Sequence, residues 1–262
     1  MPPAPDPLLD RLAGTDRIRL FLDYDGTLAD FAPTPEHVEP DPDLAQLVAR
    51  LASQPRLRVA VISGRRLAHV RKLVPVAGIL LAGTYGIEML TPDGEHLDRL
   101  DYDAVRPLLD GIKPRWADLI AGRDGFFLED KDWSLALHAR FAADGEAESV
   151  LARARAAAEA LIPPDGAFRI LGGHKFLEIG PRLAHKGRTL EYLFERDPWP
   201  GALPLYLGDD DKDEEAFGVI QAHGGLAIVV SPQPRPTRAD YRLESPHDTR
   251  RWLRALLARL AP

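Results

Sequence analysis

Short apolar runs separated by helix-period segments constrain this chain most. Residues 17–22 (RIRLFL), 57–62 (LRVAVI), 78–82 (GILLA), 203–207 (LPLYL) and 226–230 (LAIVV) read as strands. Between them, residues 43–53 place Leu44, Leu47, Val48 and Leu51 at helical spacing, and residues 66–73 and 187–195 also read as helices. The final helix is expected to start near Asp248 as its N-cap, with Trp252, Leu253, Leu256, Leu257 and Leu260 forming one core face. Strand and helix in alternation predict a parallel sheet wound with right-handed crossovers.

The middle of the chain follows another pattern. Residues 103–121 and 145–162 read as helices. Residues 125–130 and 133–140 read as one hairpin, and 167–171 with 175–179 as a second, broken by Gly172-Gly173. This αββαββ order predicts a smaller α+β domain, 104–182, inserted into a Rossmann-like α/β core of 1–103 and 183–262.

Charge and composition exclude several classes of function. The net charge is -7 and no basic cluster stands out, which argues against nucleic-acid binding. The chain has no cysteine, so disulfides and thiolate metal sites are excluded, and its eight histidines form no close-spaced ligand pair. The start, Met1 to Pro7, lacks the basic and apolar regions of a signal peptide. No apolar run approaches the ~18 residues of a membrane span. The expectation is a cytoplasmic monomer without membrane association. Only six of the 33 basic residues are lysines, and Lys131, Lys175, Lys186 and Lys212 fall in the segments of interest.

Three strands run directly into polar residues: Asp23-Tyr24-Asp25-Gly26-Thr27, Ser63-Gly64-Arg65, and Gly208-Asp209-Asp210. A fourth segment, at Lys186, opens a helix. Ligands of open parallel sheets bind outside the carboxyl ends of the strands, so these segments should converge. The residue types suit phosphate-ester hydrolysis. A carboxylate nucleophile is repelled by a phosphoryl group unless a hard cation bridges the two, and Mg²⁺ needs only two carboxylates and a carbonyl besides water. Asp23 and Asp209 can supply the carboxylates. Ser63 and Lys186 can hold phosphate oxygens, and Asp25 can give and take the proton. The run Asp209 to Glu214 also suggests a calcium loop, but Glu214 stands where that loop needs glycine.

In order, the four segments resemble the motif set of the haloacid dehalogenase superfamily. Along nearly its whole length the chain also resembles the trehalose-6-phosphate phosphatase family, through FLDYDGTLADF, VISGR, LAGTYGIE, LEDKDWSLALHAR, GGHKFLEIGPRLAHKG and GDDDKDEEAF. The resemblance implies a haloacid dehalogenase core with a mobile cap, acting on trehalose 6-phosphate. It implies Asp23 as nucleophile and Asp25 as general acid and base. Mg²⁺ would sit on Asp23, Asp209 and the backbone carbonyl of Asp25, with Asp210 and Asp213 orienting its shell. Thr27, Ser63, Gly64 and Lys186 would hold the phosphate, with Arg65 and Arg140 as further polar contacts. In the cap, Glu129, Lys131 and Glu178 would read sugar hydroxyls, with Lys175 and His138 as lesser candidates. Lys175 and Glu178 alternate onto opposite strand faces, so both point inward only with a twist or bulge. Two positions depart from the family: Lys212 replaces the usual Thr, and Tyr85 a frequent His. The alternatives are a phosphatase of another sugar phosphate, such as glucosylglycerol phosphate or a hexose 6-phosphate, a sugar phosphomutase, and a non-catalytic sugar-phosphate sensor.

Overall fold

The computed structural model describes residues 2–31, 38–164 and 166–260. The chain divides into two compact units, Met1–Leu97 with His185–Pro262, and Asp98–Ala184. In chain order the elements are α1 (Asp6–Ala13), β1 (Ile18–Leu22), α2 (Pro42–Ala52), β2 (Leu57–Ile62), α3 (Leu67–Leu73), β3 (Leu80–Gly83), β4 (Glu88–Leu90) and β5 (His96–Asp98). Next come α4 (Tyr102–Ile120), β6 (Phe127–Asp130), β7 (Leu135–His138), α5 (Asp144–Glu159), β8 (Phe168–Gly173) and β9 (Phe176–Pro181). The chain closes with α6 (Lys186–Arg196), β10 (Leu203–Gly208), α7 (Asp213–Ala222), β11 (Leu226–Val230), β12 (Tyr241–Leu243) and α8 (Pro246–Leu260). Among the described residues no helix is long and apolar enough to cross a membrane.

The first unit is built on a sheet of order β12-β11-β10-β1-β2-β3-β4-β5. Strands β12 to β3 in that order are parallel neighbours, and β4 runs antiparallel to β3. Alternate residues of each central strand enter separate cores. Ile18, Leu20 and Leu22 pack with Leu8, Leu12, Leu44, Leu51 and the α8 residues Trp252, Leu253, Leu256 and Leu257. Phe21, Ala60, Ile62 and Tyr206 pack on the other face with Leu190, Leu193 and Phe217. Burial on both faces is why these strands are mostly apolar, with Arg19 of β1 and Arg58 of β2 as the charged exceptions.

Several elements differ from expectation. Helix α1 follows a proline-rich start that gave no helical signal. Proline is tolerated in a first turn, and burial of Leu8, Leu9 and Leu12 together with a bond from Trp252 Nε1 to the Pro5 carbonyl holds it. Helix α7 was hidden by its acidic run, although acids in a first turn favour the helix dipole. Strands β4, β5 and β12 are three residues each, too short to show a period. Helix α8 starts at Pro246 and its cap is Ser245. The Ser245 hydroxyl accepts from Asp248 N–H and donates to the Asp248 carboxylate, so Asp248 completes a reciprocal cap instead of forming the N-cap itself.

The second unit holds an antiparallel sheet of order β6-β7-β9-β8, with α4 and α5 packed together. Trp116 of α4 is fully buried and its indole N–H donates to Ala154 O of α5. Gly172 and Gly173 do not break the second hairpin. They lie in β8, paired with Leu177 and Phe176, and the turn is His174-Lys175, with Lys175 at φ 54°.

Candidate active site

Strand β1 ends in Asp23, whose N–H donates to Leu207 O of β10 and whose side chain is buried. Lys186, the first residue of α6, is 2% exposed. Its ammonium donates to Asp23 Oδ1 at 2.8 Å and to Asp213 Oδ1 at 2.6 Å. The Thr27 hydroxyl lies 3.2 Å from Asp23 Oδ2 and 3.4 Å from Asp209 Oδ1. The carboxylates of Asp23, Asp209 and Asp213 each bring an oxygen within 4.8 Å of the others.

Asp213 braces this group. Its Oδ1 accepts from Lys186 and from the Tyr206 hydroxyl at 2.7 Å, and its Oδ2 accepts the backbone N–H groups of Asp209 and Asp210, each at 3.1 Å. The close approach needs a glycine at the end of β10, since a Cβ on Gly208 would lie 2.2 Å from Asp213 Cγ. Asp210 accepts from Lys212 N–H at 2.8 Å and from the Lys212 ammonium at 3.2 Å. The acidic run therefore folds inward: Asp213 is buried, Asp209 and Asp210 are half-buried, and Asp211 alone among the aspartates from Asp209 to Asp213 is exposed.

The electrostatics follow from burying so much like charge. Desolvation, with Asp23 and Asp213 nearby, pushes Asp209 up to about 10. Burial raises Asp213 to about 7 against the pull of Lys186, and raises Asp23 for the same reason. Burial also disfavours the Lys186 charge, but Asp213 and Asp23 outweigh it and hold that ammonium well above the ordinary lysine value. One ammonium among four aspartates leaves negative charge in excess. A hard divalent cation on Asp23 and Asp209 would neutralise it, and the oxygen donor set fits such an ion.

At the end of β2, Ser63 is buried, and its Oγ accepts from Arg65 N–H at 3.1 Å. Gly64 faces the Tyr85 ring, where a Cβ would come within 2.7 Å. Thr84 and Tyr85 are both left-handed, with φ of 46° and 55°. Tyr85 is anchored by Ser63 O, which accepts its N–H, and by the Thr189 hydroxyl, which donates to its carbonyl. Tyr85 and Lys212 meet here: the Lys212 ammonium stands 5.8 Å from the Tyr85 ring centroid. Asp25 is held differently from Asp23. Both of its oxygens accept from Arg65, each at 2.6 Å, and Arg65 Nη1 lies 3.1 Å from His69 Nδ1.

In the second unit, sheet register decides which candidates meet. Glu129 is opposite Ala136, and Ala136 is opposite Glu178, so both glutamates share a face with only a methyl between them. Lys131 donates to Glu178 at 3.1 Å and lies 4.0 Å from Glu129. Ser134 donates to Glu178 at 2.7 Å. His138 Nε2 lies 3.0 Å from Glu129 Oε2, with its ring stacked on Phe127 at 4.1 Å. Burial opposes the Glu129 charge, but His138 and Lys131 prevail and hold it below the ordinary carboxylate value. Lys175 does not join this group. From the left-handed turn its ammonium reaches Ala142 O at 2.6 Å and Asp144 at 2.7 Å. Arg140 lies exposed in the turn after β7.

Sequence reasoning missed Ser134, Tyr206 and Arg235. The Arg235 guanidinium donates to the carbonyls of Asp209 and Asp210 and to the Asp211 carboxylate, tying down the acidic loop. Nothing in the proline-rich segment around it signalled this.

A parallel sheet whose strand ends gather an aspartate pair, a serine, a lysine and an acidic loop is the architecture of the haloacid dehalogenase superfamily. The chain belongs to the trehalose-phosphatase family, whose model matches residues 21–247. It is 37% identical over 246 residues to a trehalose-phosphate phosphatase of Mycobacterium avium, covering 90% of this chain and 61% of that protein. A second relative, from Mycobacterium ulcerans and of the same name, is 34% identical over 237 residues, with 88% and 59% covered. The chain thus spans about three-fifths of the length of these relatives. Among solved structures, the C-terminal domain of a Candida albicans trehalose-6-phosphate phosphatase superposes with a TM-score of 0.85 at 20% identity, covering 98% of both chains, and shares the fold.

Proposed function

We propose that the protein is a Mg²⁺-dependent phosphatase that hydrolyses trehalose 6-phosphate to trehalose and phosphate through an aspartyl-phosphate. The observation that carries this reading is the buried Asp23 carboxylate, held by Lys186 and Thr27 beside Asp209 and Asp213. The family model and the names of the relatives supply the substrate class.

Asp23 attacks phosphorus, forming the acyl phosphate as the bond to the sugar O6 breaks. Asp25 protonates the departing oxygen, then takes a proton from the water that attacks phosphorus and frees Asp23. Its carboxylate is committed to Arg65 through both oxygens, so it must exchange that guanidinium for the leaving oxygen. Lys186 and Ser63 hold phosphate oxygens, and Asp213 keeps Lys186 in place. Mg²⁺ bound on Asp23 and Asp209 would offset the repulsion between nucleophile and phosphate. In the second unit, Glu129, Lys131, Glu178 and His138 read sugar hydroxyls, since carboxylates accept from them and the ammonium donates to them.

Phosphate release from trehalose 6-phosphate, glucose 6-phosphate and glucosylglycerol phosphate, with Mg²⁺ and with chelator, tests the proposal. Metal-dependent release from trehalose 6-phosphate foremost is expected, and Asp23→Asn should abolish it. Preference for another ester would overturn the substrate. Full activity in Asp23→Asn would overturn the mechanism.

A further inference from the structure

An exposed aromatic borders the carboxylates and has no part in the chemistry above. Phe31 keeps 60% of its surface exposed. Single exposed aromatics are common; this one is distinguished by where the chain puts it. After Asp23 the backbone turns back tightly: Leu28 and Ala29 N–H both donate to Tyr24 O, at 2.8 and 3.0 Å, and Gly26 N–H donates to Ala29 O at 2.7 Å. Arg250 Nε donates to Leu28 O at 2.6 Å, pinning the turn to α8. Gly26 is left-handed, at φ 77°. A Cβ built there would lie 2.2 Å from Asp209 Oδ2 and 2.7 Å from Phe31 Cε2. The ring edge and the Asp209 carboxylate are therefore neighbours across Gly26.

We propose that Phe31 is a specificity residue, the platform on which the sugar ring next to the phosphate rests. This deepens the phosphatase reading and depends on it. A phosphoryl group at Asp23 leaves the pyranose ring of a 6-phosphate three bonds away, through O6 and C6. A pyranose presents C–H groups on its faces, and laying one face on an aromatic ring removes apolar area from water. An acyclic ester of the same charge offers no such face.

The test compares wild type with Phe31→Ala and Phe31→Trp, on trehalose 6-phosphate and on glycerol 3-phosphate. Phe31→Ala should raise KM for the sugar ester about tenfold, equivalent to about 1.4 kcal/mol, with a smaller change in kcat. The ratio of kcat/KM for sugar ester over acyclic ester should fall by a similar factor, and Phe31→Trp should restore it. Competitive inhibition by inorganic phosphate should shift less than threefold, roughly 0.6 kcal/mol, because the phosphoryl site is untouched. An unchanged ratio in Phe31→Ala, with wild type active on the sugar ester, overturns this inference alone. No release from any sugar ester by wild type overturns the phosphatase reading and this inference with it.

Discussion

Lys186 shows how one buried side chain can tie together carboxylates from separate segments. It is buried, and its two partners are carboxylates from distant parts of the chain. A buried ion pair adds little net stability when intact, but removing one partner strands the others without solvent. Lys186→Ala is therefore expected to destabilise the metal-free protein by about 3–5 kcal/mol, read by urea unfolding in chelator. Lys186→Met, of similar length but uncharged, should be no more stable, because Asp23 and Asp213 remain unpaired in both. If either variant unfolds at the wild-type urea midpoint, the ammonium is not offsetting the buried carboxylates. The Asp25 and Arg65 pair is different in kind, being only part-buried and made through both carboxylate oxygens.

At the scale of elements, the second unit depends on α4 and α5. Trp116 fills the space between them and satisfies its N–H on Ala154 O. Trp116→Ala should cost that unit about 3–5 kcal/mol, opening it before the first unit. Limited proteolysis should then cut first within residues 98–184, and cuts appearing first in the α1 or α8 regions would contradict this. Register in the same unit places Glu129, Ala136 and Glu178 in one row. The methyl of Ala136 leaves room between the two glutamates that a larger residue would fill.

For the whole molecule, the acidic site makes stability depend on pH. A carboxyl that keeps its proton in the folded chain and loses it in the unfolded chain withdraws stability as pH rises between its two values. Asp209, raised from 3.8 to about 10, and Asp213, raised to about 7, both act in this direction. Asp210 and Glu129, held below their ordinary values, act only at lower pH. In chelator the melting temperature should fall between about pH 5 and pH 9. Mg²⁺, binding the ionised carboxylates, should flatten the slope. A chelated protein with a level melting temperature across that range would show that these carboxyls do not carry the expected protons.

The residues at the strand ends were legible because the last residues of β1 and β2, after Arg19 and Arg58, are apolar. A sudden Asp23, Ser63 or Asp209 therefore marks the carboxyl end of a strand, although Asp23 and Ser63 are themselves buried. The αββαββ order was legible for a similar reason, as period-2 and period-3.6 patterns are local. Helix α7 was not, since its acidic first turn looks like solvated surface until burial of Asp213 is known. Nor were the turn at His174-Lys175 and the partners of Lys175, because a left-handed residue is set by hairpin closure and not by composition. Local periodicity in the sequence was enough to expect the α/β architecture and to single out the strand-end residues as site candidates. Only the tertiary structure decided that Asp25 is gripped by Arg65, that Asp213 serves Lys186, and that Phe31 lies beside Asp209. These contacts depend on how separate turns pack in space, and no local period or spacing encodes that.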